Sequence, residues 1–189
     1  MKIEDIVTVR VGKNLSRGNR KNDLSLVAYS YEDLTNDLDG SFLDSQASSY
    51  RGNSNLKDSY LSSPGDVVFS FVSSKAGIVS DLNQGKIINQ NFAKLIIEHD
   101  KLDRGYLCYA LNESYSMKKQ MAISMQGSNV PKLSPAILKE LEIKLPCIEK
   151  QRNIGKAYFF FRKRQALAKK QVELEEQLYL EVLKRLDQQ

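Results

Sequence analysis

Few residues in this chain could carry covalent chemistry. There is one histidine, His99, and there are two cysteines, Cys108 and Cys147. These are too few and too scattered for a tetrahedral zinc set. No GxSxG nucleophile elbow, phosphate-binding loop or glycine-rich dinucleotide fingerprint occurs. The nearest approach to a metal-dependent hydrolytic centre is Asp66 with Glu142-Ile143-Lys144, a spacing in which two carboxylates would hold Mg²⁺ and the lysine would face the attacking water. An E-x-K triplet is common, however, and Asp66 lies far away in sequence. In an alternating strand, Glu142 and Lys144 are the outward face. Neither a catalytic residue nor a metal site is therefore assigned.

The chemistry that remains is recognition of phosphates and base edges. Lys13, Arg17 and Arg20 lie in a basic loop, Gly12 to Lys21, rich in Gly and Asn. They are candidates for phosphates, with Lys75, Lys118 and Lys119. Asn19, Ser73, Ser74, Gln126, Ser128 and Asn129 are candidates for base edges, because hydroxyls and amides in turns both donate and accept. A solvated turn is the plain alternative for the basic loop. The cluster Asn89-Gln90-Asn91 could read adenine, but amides are common turn formers and a turn is the preferred reading.

These loops need a scaffold. Lys2 to Val11 is rich in β-branched residues and predicts a strand, straight or kinked. Leu24 to Tyr31 predicts another. Val67 to Val72, after the turn Pro64-Gly65-Asp66, is the clearest strand. Strand-like segments follow at Ile78-Val79, Lys86–Asn91 and Phe92–Ile97. Tyr106 to Leu111 predicts a short helix with Asp103 as N-cap. Gln126 to Lys132 reads as a polar turn. Ser134-Pro135 opens a further short helix, and Leu141 to Leu145 alternates as a last strand. The polar stretch from Leu34 to Ser63 is too long to be structureless, so a short element is expected within it. The expected class is α+β: a β-rich domain with short helices over residues 1–145, then a long helix over 146–189.

That long helix organises the chain. From Pro146 onward there is no further proline and, after Gly155, no glycine, so nothing breaks it. Some 35–40 residues at ~1.5 Å each make a rod of roughly 50–60 Å. Ile154, Tyr158, Phe161, Gln165, Ala168, Val172, Glu175, Tyr179, Val182 and Leu186 recur in alternating steps of four and three. This is a heptad seam with polar interruptions at Gln165 and Glu175. A second stripe runs through Phe160, Leu167, Leu174 and Leu178, which makes the apolar face wide enough for more than one partner helix. The alternative is one amphipathic helix folded over its own domain.

Charge along the rod is lopsided. Lys150, Arg152, Lys156, Arg162, Lys163, Arg164, Lys169 and Lys170 crowd its first half. Glu173, Glu175, Glu176, Glu181 and Asp187 dominate its second. Parallel copies would set like charges side by side, and antiparallel copies would set basic against acidic. The expectation is an antiparallel coiled-coil homodimer, with Ile154, Tyr158, Phe161, Ala168, Val172, Tyr179, Val182 and Leu186 as its apolar contacts.

The composition is compatible with this. The 189 residues carry a net charge of +5. That is compatible with nucleic acid without requiring it. Cys108 sits in an apolar run and reads as core; no disulfide framework is implied, which suits a reducing compartment. With no signal-peptide pattern and no long apolar run, a cytoplasmic protein without a membrane span is expected.

Several of these segments resemble one family. Gly65-Asp66-Val67-Val68-Phe69-Ser70 resembles the strand opening of the target-recognition domain in specificity subunits of type I restriction-modification systems. Gly127 to Lys132, Leu133-Ser134 and Leu138 to Leu145 resemble that domain's end. Pro146-Cys147-Ile148-Glu149-Lys150-Gln151 with Ile154 resembles the entry into the family's spacer helix. Here Cys147 replaces a frequent second proline, and Lys150 a frequent glutamate. Typical members carry two recognition domains and two antiparallel spacer helices. This chain has one of each and looks like a half-sized subunit. The resemblance implies a non-catalytic reader of a bipartite site in double-stranded DNA, rebuilt as a homodimer. It also implies docking of DNA methyltransferase subunits and of a translocating restriction subunit, with S-adenosylmethionine, Mg²⁺ and ATP bound only by those partners. The rival reading is a scaffold or regulator that engages a helical protein partner through the rod and does not touch DNA.

Overall fold

The computed structural model describes residues 1–15, 27–40, 58–98, 100–125 and 133–188. His99, Arg17, Asn19, Arg20, Gln126, Ser128, Asn129 and the turn over 126–132 lie outside the described residues.

Four antiparallel strands form one sheet in the order β1-β4-β2-β3: β1 (Val7–Val11), β2 (Val67–Ser70), β3 (Lys75–Ile78) and β4 (Phe92–Ile97). A 3-10 turn, Ile3–Asp5, precedes β1, so only the second half of the expected strand Lys2–Val11 is a strand. The pleat divides the strands between two faces. Val7 pairs with Ile97 and Val9 with Leu95, while Val67 also pairs with Leu95 and Phe69 with Ala93. These residues share one face, which belongs to the main core with Leu107, Leu111, Met117, Met121, Leu133 and Leu138. The other face, through Val68 and Phe92, packs on Tyr29, Leu34, Val79 and Ile88 in a smaller core. Burial on both faces explains why β2 reads as a continuous apolar run rather than an alternation.

The helices are α1 (Tyr31–Asp39), α2 (Arg104–Glu113), α3 (Tyr115–Met125), α4 (Pro135–Glu140) and α5 (Ile148–Asp187). Side-chain caps set three of their starts. Ser30 Oγ accepts from Asp33 N at 3.1 Å while Asp33 Oδ2 accepts from Ser30 N at 2.9 Å, a reciprocal box that opens α1. Gly40, at φ +60°, closes it. Asp103 Oδ1 accepts from Tyr106 N at 2.9 Å to cap α2, and Ser134 Oγ accepts from Ile137 N at 3.2 Å to cap α4, both as expected.

Several expected strands are not strands. Of Leu24–Tyr31, residues 24–26 lie outside the described residues; in the rest, Ala28 makes a single bridge to Ile87, and Tyr31 already opens α1. That helix, with the 3-10 turn Asp58–Tyr60, supplies the short elements anticipated between Leu34 and Ser63. Lys86–Asn91 makes only isolated bridges. Leu141 to Leu145 does alternate, with Leu141 and Ile143 buried and Glu142 and Lys144 exposed. It lies outside the sheet, however, with Ile3 N donating to the Leu141 carbonyl and Ile143 N to that of Met1. Extended chain laid on a core shows period-two burial whether or not it joins a sheet.

Candidate nucleic-acid interface and projecting helix

One short segment, Lys86 to Asn89, ties together three separate passes of the chain. Lys13 N donates to the Ile88 carbonyl at 2.8 Å, Tyr29 N to Ile87 at 2.8 Å, and Ser62 N to Lys86 at 2.8 Å. Ile87 N and Ile88 N donate to the carbonyls of Val27 and Tyr60, both at 2.9 Å. Asn89 Nδ2 adds a bond to the Tyr29 carbonyl at 3.3 Å. Residues 13–15 and 27–29 flank the segment that carries Arg17, Asn19 and Arg20, so both of its roots are held on one strip. Gly12 is needed there: a Cβ would run into the carbonyls of Ile88 and Asn89. Asn89-Gln90-Asn91 is the expected turn, with Asn89 Oδ1 accepting from Asn91 N at 2.9 Å and the Asn89 carbonyl from Phe92 N at 2.9 Å.

The same end of the sheet carries the β2–β3 hairpin. Ser70 pairs with Phe92 across β2 and β4, and Phe71 N donates to the Asn91 carbonyl at 2.9 Å. The tip, Phe71 to Ser74, therefore sits beside the amide turn. Ser74 takes the left-handed φ of +53°. Fold topology thus gathers Lys13, Ser73, Ser74 and Lys75 along one rim, although the sequence spreads them over more than sixty positions.

The side chains on that rim differ in availability. Ser73 Oγ is turned inward, buried without a hydrogen-bond partner, so in this conformation it does not present a hydroxyl to a base edge. Lys75 Nζ bonds the Asn112 carbonyl at 3.2 Å and Glu113 Oε1 at 3.4 Å. Lys118 Nζ holds the other Glu113 oxygen at 2.7 Å. Burial works against the charged Glu113 carboxylate, but the hydrogen bond from Lys118 and the charge of Lys75 outweigh it, and the carboxyl titrates below its ordinary value. Lys75 and Lys118 are thus tied together by one carboxylate, a structural role the sequence did not disclose. Lys119 is exposed.

One further charged pair is scaffold. Lys94, on the face shared with Val68, reaches Asp66 Oδ2 at 2.6 Å and the Leu61 carbonyl at 2.9 Å. Asp66 Oδ2 also accepts from Ser63 N at 2.8 Å. The aspartate of the Gly-Asp opening is therefore a turn and ion-pair residue. No group of acidic, histidine or cysteine side chains able to hold a metal occurs among the described residues. Cys108 is fully buried, as expected, and burial pushes its thiol well above the ordinary range.

The long helix both packs and projects. Gln151 is buried where α5 begins. It accepts from Asp103 N at 3.0 Å and donates to the carbonyls of Lys101 at 2.9 Å and Pro146 at 2.8 Å. Gly155 then lies against Gly105 of α2. Tyr158, expected in the seam between helices, instead belongs to the core of its own lobe. It is only 7% exposed, and Asn112 Nδ2 donates to its hydroxyl at 2.9 Å. Burial pushes the phenol up to about 12, against the Asn112 bond and the charge of Arg162. The cause is simple: α2 covers that side of the helix. Arg162 Nε donates to Asp39 Oδ1 at 2.8 Å and ties α5 to the end of α1. Beyond it Val172, Tyr179, Val182 and Leu186 are 45–67% exposed. The helix folds over its own domain for its first four turns and stands clear afterwards. No helix among the described residues is long and apolar enough to cross a membrane.

Asn112 was not anticipated from sequence. Its amide accepts from Ala76 N at 2.7 Å and donates to the Ala76 carbonyl at 2.7 Å, pairing the free edge of β3 as another strand would. The same amide holds Tyr158, so it links the hairpin to the rod. Only its position at the end of an apolar helical run hinted at burial.

Comparison with known proteins gives this arrangement its context. Residues 1–178 match the model of the type I restriction modification DNA specificity domain. The type I restriction enzyme MjaVIII specificity subunit of Methanocaldococcus jannaschii is 30% identical over 78 residues, 41% of this chain and 18% of that protein. The HsdS subunit of Thermoanaerobacter tengcongensis superposes with a TM-score of 0.52 at 19% identity, covering 91% of this chain and 39% of that one. The type I restriction-modification S subunit from M. genitalium superposes at 0.56 with 14% identity, covering 94% and 42%. This chain spans less than half the length of each of these relatives. The match over nearly all of its residues places it, by sequence and by its α+β fold with a long C-terminal helix, in the family of type I restriction modification DNA specificity domains.

Proposed function

We propose that this chain is a non-catalytic, sequence-specific DNA reader, one half of a type I restriction-modification specificity component. The observation that carries the reading is the rim at the end of the sheet. It brings the roots of the basic segment, the amide turn and the β2–β3 hairpin together, on a lobe whose helix then leaves it with a bare apolar face. Lys13, Arg17, Arg20, Lys119 and, in part, Lys75 and Lys118 contact phosphates; Asn19, Ser74, Gln126, Ser128 and Asn129 address base edges. Two copies joined antiparallel through the helix present two lobes to one duplex, and twofold symmetry then requires inverted half-sites. The outer faces of the paired rods receive methyltransferase subunits, which bring the methylating chemistry.

The test is reconstitution with a cognate methyltransferase subunit and mapping of methylated adenines. The expected result is modification at an interrupted, inverted-repeat site only when this chain is present. If adding it changes neither the amount nor the position of methylation, the DNA-reading role fails and the scaffold reading replaces it.

A further inference from the structure

The exposed seam of α5 favours one antiparallel alignment with a second copy over its neighbours. Placing two copies of α5 antiparallel, about a twofold axis at the height of Lys170, brings every seam residue opposite another seam residue. Ile154 then faces Leu186 of the second copy, Phe161 faces Tyr179 and Ala168 faces Val172, while Val182 comes level with Tyr158, which α2 already covers. The two polar interruptions coincide, because Gln165 faces Glu175. Sliding either helix by one heptad sets Gln165 against Ala168 or Val182 and leaves each polar group facing an apolar one. A parallel pair in register would set Glu175 against Glu175 and the basic half against the basic half.

A second observation agrees. Where α5 lies on the lobe, Ile154, Tyr158 and Phe161 line an open groove of about 540 Å³ with Tyr109 and Glu113 of α2. In this alignment Tyr179, Val182 and Leu186 of the second copy arrive over that groove. Each is at least 45% exposed in the single chain. Glu175 is already oriented by Gln171 Nε2 at 2.9 Å, which leaves carboxylate capacity for the Gln165 amide of the second copy. Beside the seam, Glu176 falls next to Lys169 of the second copy, acidic against basic.

We propose that a second copy of this chain docks with its C-terminal turns in the groove at the base of the first copy's rod. Its register is set by the reciprocal Gln165–Glu175 layers about Lys170. This rests on the homodimer reading above and specifies its geometry. Gly155, where the rod crosses α2, is fifteen residues from the axis, about 22 Å at ~1.5 Å per residue. The two crossing points then lie about 45 Å apart along the rod, a separation that the polar layers fix.

Disulfide mapping tests it. In a Cys147→Ser background, which leaves only buried Cys108, chains carrying Gln165→Cys are mixed with chains carrying Glu175→Cys and oxidised. The mixed dimer is expected to cross-link, and either variant alone is not. If the chain is dimeric by light scattering but Gln165→Cys cross-links instead to Ala168→Cys or Val182→Cys, the register is overturned and the dimer stands. Self-linking of Gln165→Cys alone overturns the antiparallel orientation, and a monomer at micromolar concentration overturns the homodimer reading itself. Glu176→Lys provides a measurement without cysteines: dimer affinity is expected to fall by about tenfold, and unchanged affinity would count against the alignment.

Discussion

Gly105 and Gly155 touch backbone to backbone where α2 crosses α5. A Cβ at Gly155 would lie 2.8 Å from the Gly105 carbonyl carbon and from Tyr106 N, and 2.9 Å from Asp103 Oδ1. Two of those obstacles are backbone and cannot swing aside. Alanine would gain about 1 kcal/mol of helix propensity at this position. Overpacking against backbone costs about 1–3 kcal/mol, and here it should exceed the gain. Gly155→Ala is therefore expected to lower stability in urea unfolding, the opposite of what an isolated helix would show.

Asn112 joins the edge of β3 to the rod through three hydrogen bonds of 2.7–2.9 Å. Asn112→Ala strands the Ala76 N–H and carbonyl in a buried site, at a cost of about 2–4 kcal/mol. The unfolding midpoint should drop accordingly. Asn112→Asp should also destabilise, since its carboxylate cannot donate to the Ala76 carbonyl.

Glu113 predicts an acid-sensitive contact. Its carboxyl titrates below the ordinary 4.5 in the folded state, so the stabilisation is present above that value and is lost as pH falls through the lower folded pKa. Stability differences between the natural chain and Glu113→Gln should be visible at pH 7 and close in the range below about 4.5. A difference that persists unchanged to pH 3 would mean that Lys75 and Lys118 are not what holds this carboxylate charged.

Arg162 and Asp39 form a half-buried pair at the point where the rod leaves the lobe. Such a pair contributes about 1 kcal/mol or less to stability, but it restrains the angle of a long lever. Arg162→Ala should leave the unfolding midpoint nearly unchanged while broadening the distribution of lobe–rod orientations in small-angle scattering.

DNA binding should separate the cations by role. Arg17→Ala and Lys119→Ala should each weaken binding to all sequences and reduce the slope of log K against log salt by about one. Lys118→Ala should do the same, and it also removes one of the two lysines on Glu113, so its stability must be measured in parallel. Slopes unchanged in both Arg17→Ala and Lys118→Ala would remove these residues from the phosphate set.

The sequence alone determined the features that depend on neighbours along the chain. The breaker-free run after Gly155 dictates one long helix, and Asp103 and Ser134 stand where caps belong. The amides at Asn89–Asn91 make a turn, and the continuous apolar run from Val67 marks a strand. The four-and-three spacing of the rod likewise requires no tertiary information. Only the fold decided which apolar positions of the rod the lobe itself consumes. Tyr158 and Phe161 both occupy seam positions, yet α2 covers Tyr158 and leaves Phe161 55% exposed. Only the fold, too, placed Lys13 and the Ser73–Lys75 hairpin on one rim, and it tied Lys75 and Lys118 together through Glu113. Period and propensity are local and survive in one dimension. Which surface meets which is set by chain passes dozens of residues apart, and no spacing in the sequence records it.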